Sequence, residues 1–126
     1  MRRFLPVLVA SFIGSQTVCA GNLEKSFDKL DPEEVARQAC IVAGMDQIKR
    51  DKTLPRVDRM KTRILSPAVR QGEILTGKGG AVRAKDRWYA VAFTCALTKD
   101  HKKATSFAYQ LGDAIPPEKW EDLGLW

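Results

Sequence analysis

His101 is the one imidazole of the chain and the first candidate for acid–base chemistry. It lies in a lysine-rich segment, Lys99-Asp100-His101-Lys102-Lys103, and nothing in the surrounding sequence points to a cleft. A serine hydrolase would have to join it to Ser26, Ser66 or Ser106, yet none of these serines lies in a G-x-S-x-G elbow. We therefore interpret His101 as an exposed turn residue without a catalytic role.

Two further groups contain residue types that can serve catalysis or ligand binding. Asp31, Glu33 and Glu34 are clustered carboxylates, but they stand at the start of a predicted helix, where acidic side chains cap the helix and stabilise its positive end. Gly77-Lys78-Gly79-Gly80 lacks the strand-to-helix context of a phosphate-binding loop, so it predicts a hairpin turn. With one histidine and three cysteines, the composition argues against a His/Cys metal cage. We expect no enzyme, no cofactor and no metal site.

The length and the first residues indicate one exported domain. An apolar fraction of 44% with 29% charged residues over 126 positions is typical of a single globular domain. Residues 1–20 resemble a secretory signal peptide, because two arginines precede an apolar stretch over 4–14 and Val18-Cys19-Ala20 fits a peptidase site. An uncleaved anchor and a lipoprotein starting at Cys19 fit this pattern less well. We predict cleavage after Ala20, a domain over 21–126 and a periplasmic or secreted location.

Cys40 and Cys95 are the two cysteines of the predicted mature chain. An even pair in an exported domain predicts a disulfide bond. The spacing lacks the C-x-x-C motif of a redox-active pair, so we interpret the bond as structural. It would close a loop of 55 residue steps. For such a loop, chain-entropy arguments give about 4 kcal/mol of stabilisation.

A helix and several strands are expected to position these residues. Residues 31–51 predict the helix, since Asp31 is a good N-cap, Pro32 suits the first turn and basic residues stand in the last turn. Its apolar residues recur at helical intervals. The predicted buried stripe consists of Val35, Cys40, Val42, Met45 and Ile48.

Beyond Pro55 the apolar residues alternate with polar ones, the pattern of half-buried strands. Met60, Thr62 and Ile64 predict the first strand, 69–76 and 81–84 two short strands joined at 77–80, 88–97 the strongest strand and 105–111 the last. A short helical turn follows Pro116. The sequence therefore predicts an α+β fold, with one long N-terminal helix packed on a four- or five-stranded antiparallel meander, and a disulfide between the layers.

Several motifs together resemble a known bacterial family. They are Leu30-Asp31-Pro32-Glu33, Pro55-Arg56-Val57-Asp58-Arg59, Trp88-Tyr89, Phe93-Thr94-Cys95, Phe107-Ala108-Tyr109, Gly112-Asp113-Ala114-Ile115-Pro116, Trp120 and Leu125-Trp126. Over roughly residues 30–126 the chain resembles the family catalogued as domain of unknown function 930. The resemblance implies a small exported protein and supplies no catalytic residues. Ile41-Val42-Ala43 departs from the family pattern, which leads us to expect an acidic residue after Cys40.

Positive charge is concentrated in the middle of the chain. Residues 49–103 contain 15 basic and 5 acidic residues, a net charge of +10, whereas 21–48 and 104–126 each carry −3. Arg59, Lys61 and Arg63 alternate along the first predicted strand and therefore share one face. If the strands are neighbours, four more cations extend this basic sheet face: Arg56, Arg83, Lys85 and Arg87.

A basic sheet face can attract anionic lipid, lipopolysaccharide, an acidic glycan or an acidic protein. The leading hypothesis is therefore a non-enzymatic envelope protein that binds such a partner through these residues. Two alternatives stay open. The cations can be a solvated face that protects a strand edge against aggregation, or the protein can be a small structural or inhibitory interaction module with an aromatic surface. We do not expect nucleic acid as the ligand, because it conflicts with export.

Overall fold

The computed structural model describes residues 31–126. The predicted signal peptide, the cleavage site after Ala20 and the start of the predicted domain lie outside the described residues. Within them the chain has the expected α+β fold. Its elements are helix α1 (Pro32–Asp51), strands β1 (Val57–Lys61), β2 (Ala68–Gln71), β3 (Ile74–Ala84), β4 (Arg87–Leu97) and β5 (Ala104–Ala114), a 3-10 turn (Pro117–Lys119) and the short helix α2 (Trp120–Leu123).

Helix α1 begins and ends where its local signals predict. The Asp31 carboxylate accepts a hydrogen bond from the backbone N–H of Glu34 at 3.0 Å, and Pro32 occupies the first turn. Val35, Cys40 and Ile48 are buried as predicted. Val42 is 52% exposed, so its place in the buried stripe is wrong. Two residues beyond Cys40, it lies about 200° around the helix from the buried cysteine.

The five strands form one antiparallel sheet in the order β1-β3-β4-β5, and β2 also pairs with β3. Strand β2 pairs with the first part of β3, from Gln71 opposite Ile74 to Ala68 opposite Gly77. Strand β1 pairs with the last part, where Val57 is opposite Ala84. Strands β2 to β5 therefore form a meander, and two short strands lie end to end along the outer side of β3.

The prediction of a loop at Gly77–Gly80 is wrong, because β3 runs through these glycines. The turn before β3 contains Gly72, whose φ is 59°. Within β3 the glycines permit close approach: a Cβ at Gly77 would lie 2.7 Å from Phe93 Cζ, and one at Gly80 would lie 2.9 Å from the Lys61 carbonyl oxygen. Long-range packing, rather than a turn, requires glycine here.

The first strand is shorter than predicted, because β1 ends at Lys61. The backbone N–H groups of Ile64 and Leu65 both donate to the Gly79 carbonyl oxygen at 2.8 Å, which turns the chain away from regular pairing. Arg63 therefore lies outside the strand, in an exposed position.

Helix α1 covers one face of the sheet, and this layer contains the main core. The predicted disulfide joins Cys40 of α1 to Cys95 of β4, with a Cα–Cα distance of 6.0 Å, and both cysteines are fully buried. The predicted alternation in β4 is confirmed, since Val91, Phe93 and Leu97 are buried in the same cluster.

The opposite face of the sheet, here the open face, is covered only in part. The C-terminal segment places Ile115 and Leu125 in a second cluster with Ala81 and Trp88. Beyond this cover, side chains of β2 and β3 such as Val69 remain exposed. No helix within residues 31–126 is both long and apolar enough to cross a membrane.

Candidate anion-binding site

Three cations of the predicted basic sheet face are neighbours on the open face. Arg59 of β1 is directly opposite Arg83 of β3, and Lys61 is opposite Ala81. Met60 and Val82, the residues between them, point into the α1 core. Because side chains alternate along a strand, Arg59, Lys61 and Arg83 project from the face that α1 leaves uncovered.

The end of the chain contacts all three cations. Arg59 Nη1 and Arg83 Nη1 donate to the Trp126 main-chain oxygen at 2.9 and 3.2 Å, and Lys61 Nζ donates to the Gly124 carbonyl oxygen at 2.8 Å. Lys61 Nζ also lies 3.6 Å from the centroid of a Trp126 ring, a cation–π contact. Residues 124–126, here the tail, thus engage one hydrogen-bond donor atom of each of the three cations.

Contacts within the sheet further engage this part of the predicted face. The Arg83 side chain is 18% exposed and forms ion pairs with Asp58, at 3.8 Å, and with Asp86. Burial lowers the pKa of Lys61, and the positive charge of Arg59 lowers this pKa further. The centre of the predicted basic sheet face is therefore occupied by the protein's own groups.

The other predicted cations lie at two different ends of β1. Val57 is opposite Ala84, so Arg56 before β1 and Lys85 after β3 come to the same end of the sheet. Arg87 is opposite Ala84 across the β3–β4 hairpin and joins them there. Arg63 follows the opposite end of β1, so it does not belong to this group.

Two cations that the sequence analysis did not include extend the group. Lys49 and Lys52, at the C-terminal end of α1, line a shallow hollow of about 290 Å³ together with Leu54, Pro55 and Arg56. The sequence signal for them is the basic last turn of the helix, which is also typical of helix C-termini in general because cations stabilise the negative end of the helix dipole. We refer to Lys49, Lys52, Arg56, Lys85 and Arg87 as the basic end.

The cations of the basic end are exposed, and none forms an ion pair with another residue of the described chain. Nearby carboxylates have other partners. Asp58 and Asp86 contact Arg83, while Asp51 accepts hydrogen bonds from the Tyr109 hydroxyl at 2.9 Å and from Gln47 at 3.0 Å. Within the described chain, these side chains therefore present positive charge to solvent that no ion pair neutralises.

Of the residues considered for catalysis, Ser26 lies outside the described residues, and no hydrogen bond joins the His101 side chain to a serine or a carboxylate of the described chain. His101 lies in the turn between β4 and β5 as predicted, with its N–H bonded to the Thr98 carbonyl oxygen at 2.9 Å, but it is half-buried rather than fully exposed. Glu33 bonds to Arg70 instead of to another acid. Among residues 31–126 no group of three His, Cys, Asp or Glu side chains has an arrangement that could hold a metal ion.

A family model matches most of the chain. The model described as Domain of Unknown Function (DUF930) matches residues 27–125. The chain belongs to this family. The match confirms the resemblance seen in the short motifs and spans nearly all of the fold described above. No curated protein and no solved structure matches the chain. The DUF930 description assigns no activity.

Proposed function

We propose that this protein is a non-enzymatic, exported domain that binds an anionic component of the cell envelope through the basic end. The observation that supports this proposal most directly is the group of exposed cations without ion-pair partners at one end of the described fold. As in the sequence prediction, the proposed ligand is an anion. The site moves from the sheet face to the end of the sheet, because the tail contacts Arg59, Lys61 and Arg83.

The shape of the basic end favours an extended polyanion over an enclosed small molecule. Three of its cations line a shallow hollow together with the apolar side chains of Leu54 and Pro55, and the other two, Lys85 and Arg87, lie at the β3–β4 turn. Long, exposed Lys and Arg side chains can adapt to lipid phosphates, lipopolysaccharide phosphates or glycan carboxylates. Close to an anionic membrane surface each such cation contributes about 1 kcal/mol.

Vesicle binding with two matched variants tests the proposal. The basic-end variant carries Arg56→Glu, Lys85→Glu and Arg87→Glu, and the control carries Arg63→Glu, Lys78→Glu and Lys119→Glu. Both have the same net charge and change only exposed side chains. We expect the wild type and the control to sediment with phosphatidylglycerol vesicles but not with phosphatidylcholine vesicles, and the basic-end variant to lose binding. Circular dichroism verifies that all three are folded.

Salt and competitors complete the experiment. Charge-driven binding should weaken steeply from low to moderate ionic strength. Lipopolysaccharide and an acidic polysaccharide, added as competitors, identify which anion binds most tightly. Equal binding by both variants, or equal loss in both, would contradict a specific basic end.

Export is part of the proposal and has its own measurement. If residues 1–20 are removed as a signal peptide, N-terminal sequencing of protein purified from the envelope fraction should start at Gly21. An intact Met1 in that fraction would contradict cleavage after Ala20, and recovery of the protein with the cytoplasm would contradict export.

A protein-interaction module remains the second candidate, and one observation favours it. Phe107 and Tyr109 are half-buried beside a hollow of about 450 Å³, and Trp126 is 66% exposed. An aromatic surface of this kind would bind a protein partner by burying apolar area. Such binding would respond little to salt, which distinguishes it from the anionic ligand.

A further inference from the structure

The two edges of the sheet differ in how they are protected against pairing. On one side, the short strands β1 and β2 present Arg59, Lys61 and Arg70. On the other side, β5 has 11 residues, no proline and a single charged residue, Asp113. Its outer edge has no strand partner within the described chain. Exposed, long and uncharged edges are the ones that pair with another strand.

The centre of β5 pairs regularly with β4, and near each end β5 has one additional residue. Register shifts near Leu111 and near Ser106 each place one additional residue in β5, so the strand pairs regularly with β4 only between them. Ala108 lies within this regular stretch, and it is exposed. Lys103 precedes Ala108, and Asp113 follows it, by the same number of residues.

We propose that β5 pairs antiparallel with β5 of a second copy of this chain, about a twofold axis at Ala108, to form a continuous ten-stranded sheet. In this register Asp113 is opposite Lys103 of the partner subunit, and Tyr109 is opposite Phe107 of the partner subunit. Twofold symmetry produces each of these pairs twice. The inference is independent of the anion-binding proposal, since the basic end and β5 have no residue in common.

Charge complementarity identifies a second copy as the occupant of this edge. Lys103 and Asp113 are both exposed, and neither side chain has an ion-pair partner among residues 31–126. Around them, the lysine-rich turn 99–103 stands at one end of β5, and the acidic segment 113–122 at the other. Antiparallel pairing brings these oppositely charged ends together, and opposite charges facing each other across strands are stabilising.

Aromatic packing favours the same register. The Phe107 and Phe93 rings stack at 5.4 Å, and Tyr109 lies beside them at 6.2 Å from Phe107. Phe107 and Tyr109 remain half-buried, next to the hollow between α1 and β5. A second strand at this edge would cover the exposed part of both rings, and aromatic cross-strand pairs are among the stronger ones.

A charge-swap experiment tests the proposed register. Sedimentation velocity from micromolar to millimolar protein should show a dimer of the wild type. Asp113→Lys should weaken dimerisation on the order of tenfold, because each dimer then contains two like-charge pairs. The double variant Lys103→Asp, Asp113→Lys should restore it. Glu73→Lys, an equal charge change in the β2–β3 turn, should have no effect. A monomer at every concentration, or failure of the double variant to recover, would overturn the proposal.

Cross-linking provides a second measurement that does not depend on charge. Directly opposite residues of antiparallel strands have Cα atoms about 4.5–5.5 Å apart, within the span of a disulfide. Ala108→Cys should therefore form a covalent dimer under mild oxidation. Gln110→Cys is the control, because its two copies would be about 13 Å apart in this register. Equal cross-linking of the two variants would overturn the twofold axis at Ala108.

Discussion

At the scale of single residues, the surroundings decide what a cation can do. Lys61 and Lys85 carry the same charge at neighbouring parts of the sheet. Lys61 donates to the Gly124 carbonyl oxygen, lies against Trp126, and has its pKa lowered by burial. Lys85 is exposed in a tight turn with a φ of 49°. Residue type is thus insufficient to assign a cation to a ligand site.

Gly79 provides a prediction at this scale. A Cβ at this position would collide with the backbone of Leu65 and Ser66. The N–H groups of Ile64 and Leu65 hold this segment in place by donating to the Gly79 carbonyl oxygen. We expect Gly79→Ala to lower the free energy of unfolding by about 1–3 kcal/mol through overpacking. Urea denaturation measures this change. Lys78→Ala, at the exposed neighbouring position, should change the free energy by less than about 0.5 kcal/mol, and similar effects of both substitutions would contradict the steric argument.

At the scale of elements, two different links hold α1 on the sheet. The disulfide from Cys40 to Cys95 fixes the middle of the helix to β4. At its N-terminal end, Glu33 accepts a hydrogen bond from Arg70 Nε of β2 at 2.8 Å. The first link is buried and the second is exposed, so their contributions to stability should differ in size and in dependence on pH.

The disulfide should be the stronger link. Replacing both cysteines, as Cys40→Ala and Cys95→Ala, is expected to lower the free energy of unfolding by about 4 kcal/mol, mainly because the unfolded chain gains freedom. Chemical denaturation with and without reductant measures the loss. Reductant should destabilise the wild type and leave the double variant unchanged, and an equally stable double variant would show that the bond adds nothing.

The ion pair between Glu33 and Arg70 should be detectable in a pH titration of Glu33. The hydrogen bond from Arg70 holds the pKa of Glu33 below its ordinary value. Because the folded-state pKa is below the unfolded-state pKa, the pair stabilises the fold above the unfolded-state pKa, and this contribution is lost as the pH falls through the folded-state pKa. Arg70→Ala should raise the pKa of Glu33, measured by carboxyl-carbon NMR. Arg37→Ala, which removes a cation bonded to Glu34 instead, should leave it lowered.

At the scale of the whole molecule, the C-terminal segment forms a partial third layer. It crosses the open face and buries Trp88 beneath Ile115 and Leu125. The same segment places Gly124 and Trp126 against the cations of β1 and β3. One segment therefore completes a second core and also engages three cations of the sheet face, whereas the cations of the basic end have no ion-pair partner in the described chain.

Substitution of Leu125 tests whether the C-terminal segment packs on the open face of the sheet. Its side chain is 4% exposed, so Leu125→Ala should cost about 2–4 kcal/mol. It should also shift tryptophan emission to longer wavelength as water reaches Trp88. Leu65→Ala, where the native side chain is 52% exposed, is the matched control and should change stability little. Equal effects of the two substitutions would mean that the tail does not pack as described.

Short sequence patterns predicted the structure correctly where its physical cause lies within a few residues along the chain. The start of α1 follows from Asp31 and Pro32, which act on the adjacent turn of the helix. The alternation in β4 follows from burial of one sheet face. In contrast, the residue type of Gly77 indicates a turn, whereas the constraint on it in the structure is the ring of Phe93 on the neighbouring strand. The contribution of Lys49 to the basic end is likewise not predicted from the sequence, because the loop that brings it to Arg56 has no distinctive pattern.

By itself, the sequence determined the helix, the strand-rich second half, the disulfide pair, the family and an excess of positive charge, because each of these depends on residue type or on short-range periodicity. Only the tertiary structure decided which cations remain available. That outcome depends on the tail meeting Arg59, Lys61 and Arg83, residues 40 or more positions away. Contacts at such separations arise from the packing of whole layers, and neither charge nor spacing along the chain encodes them.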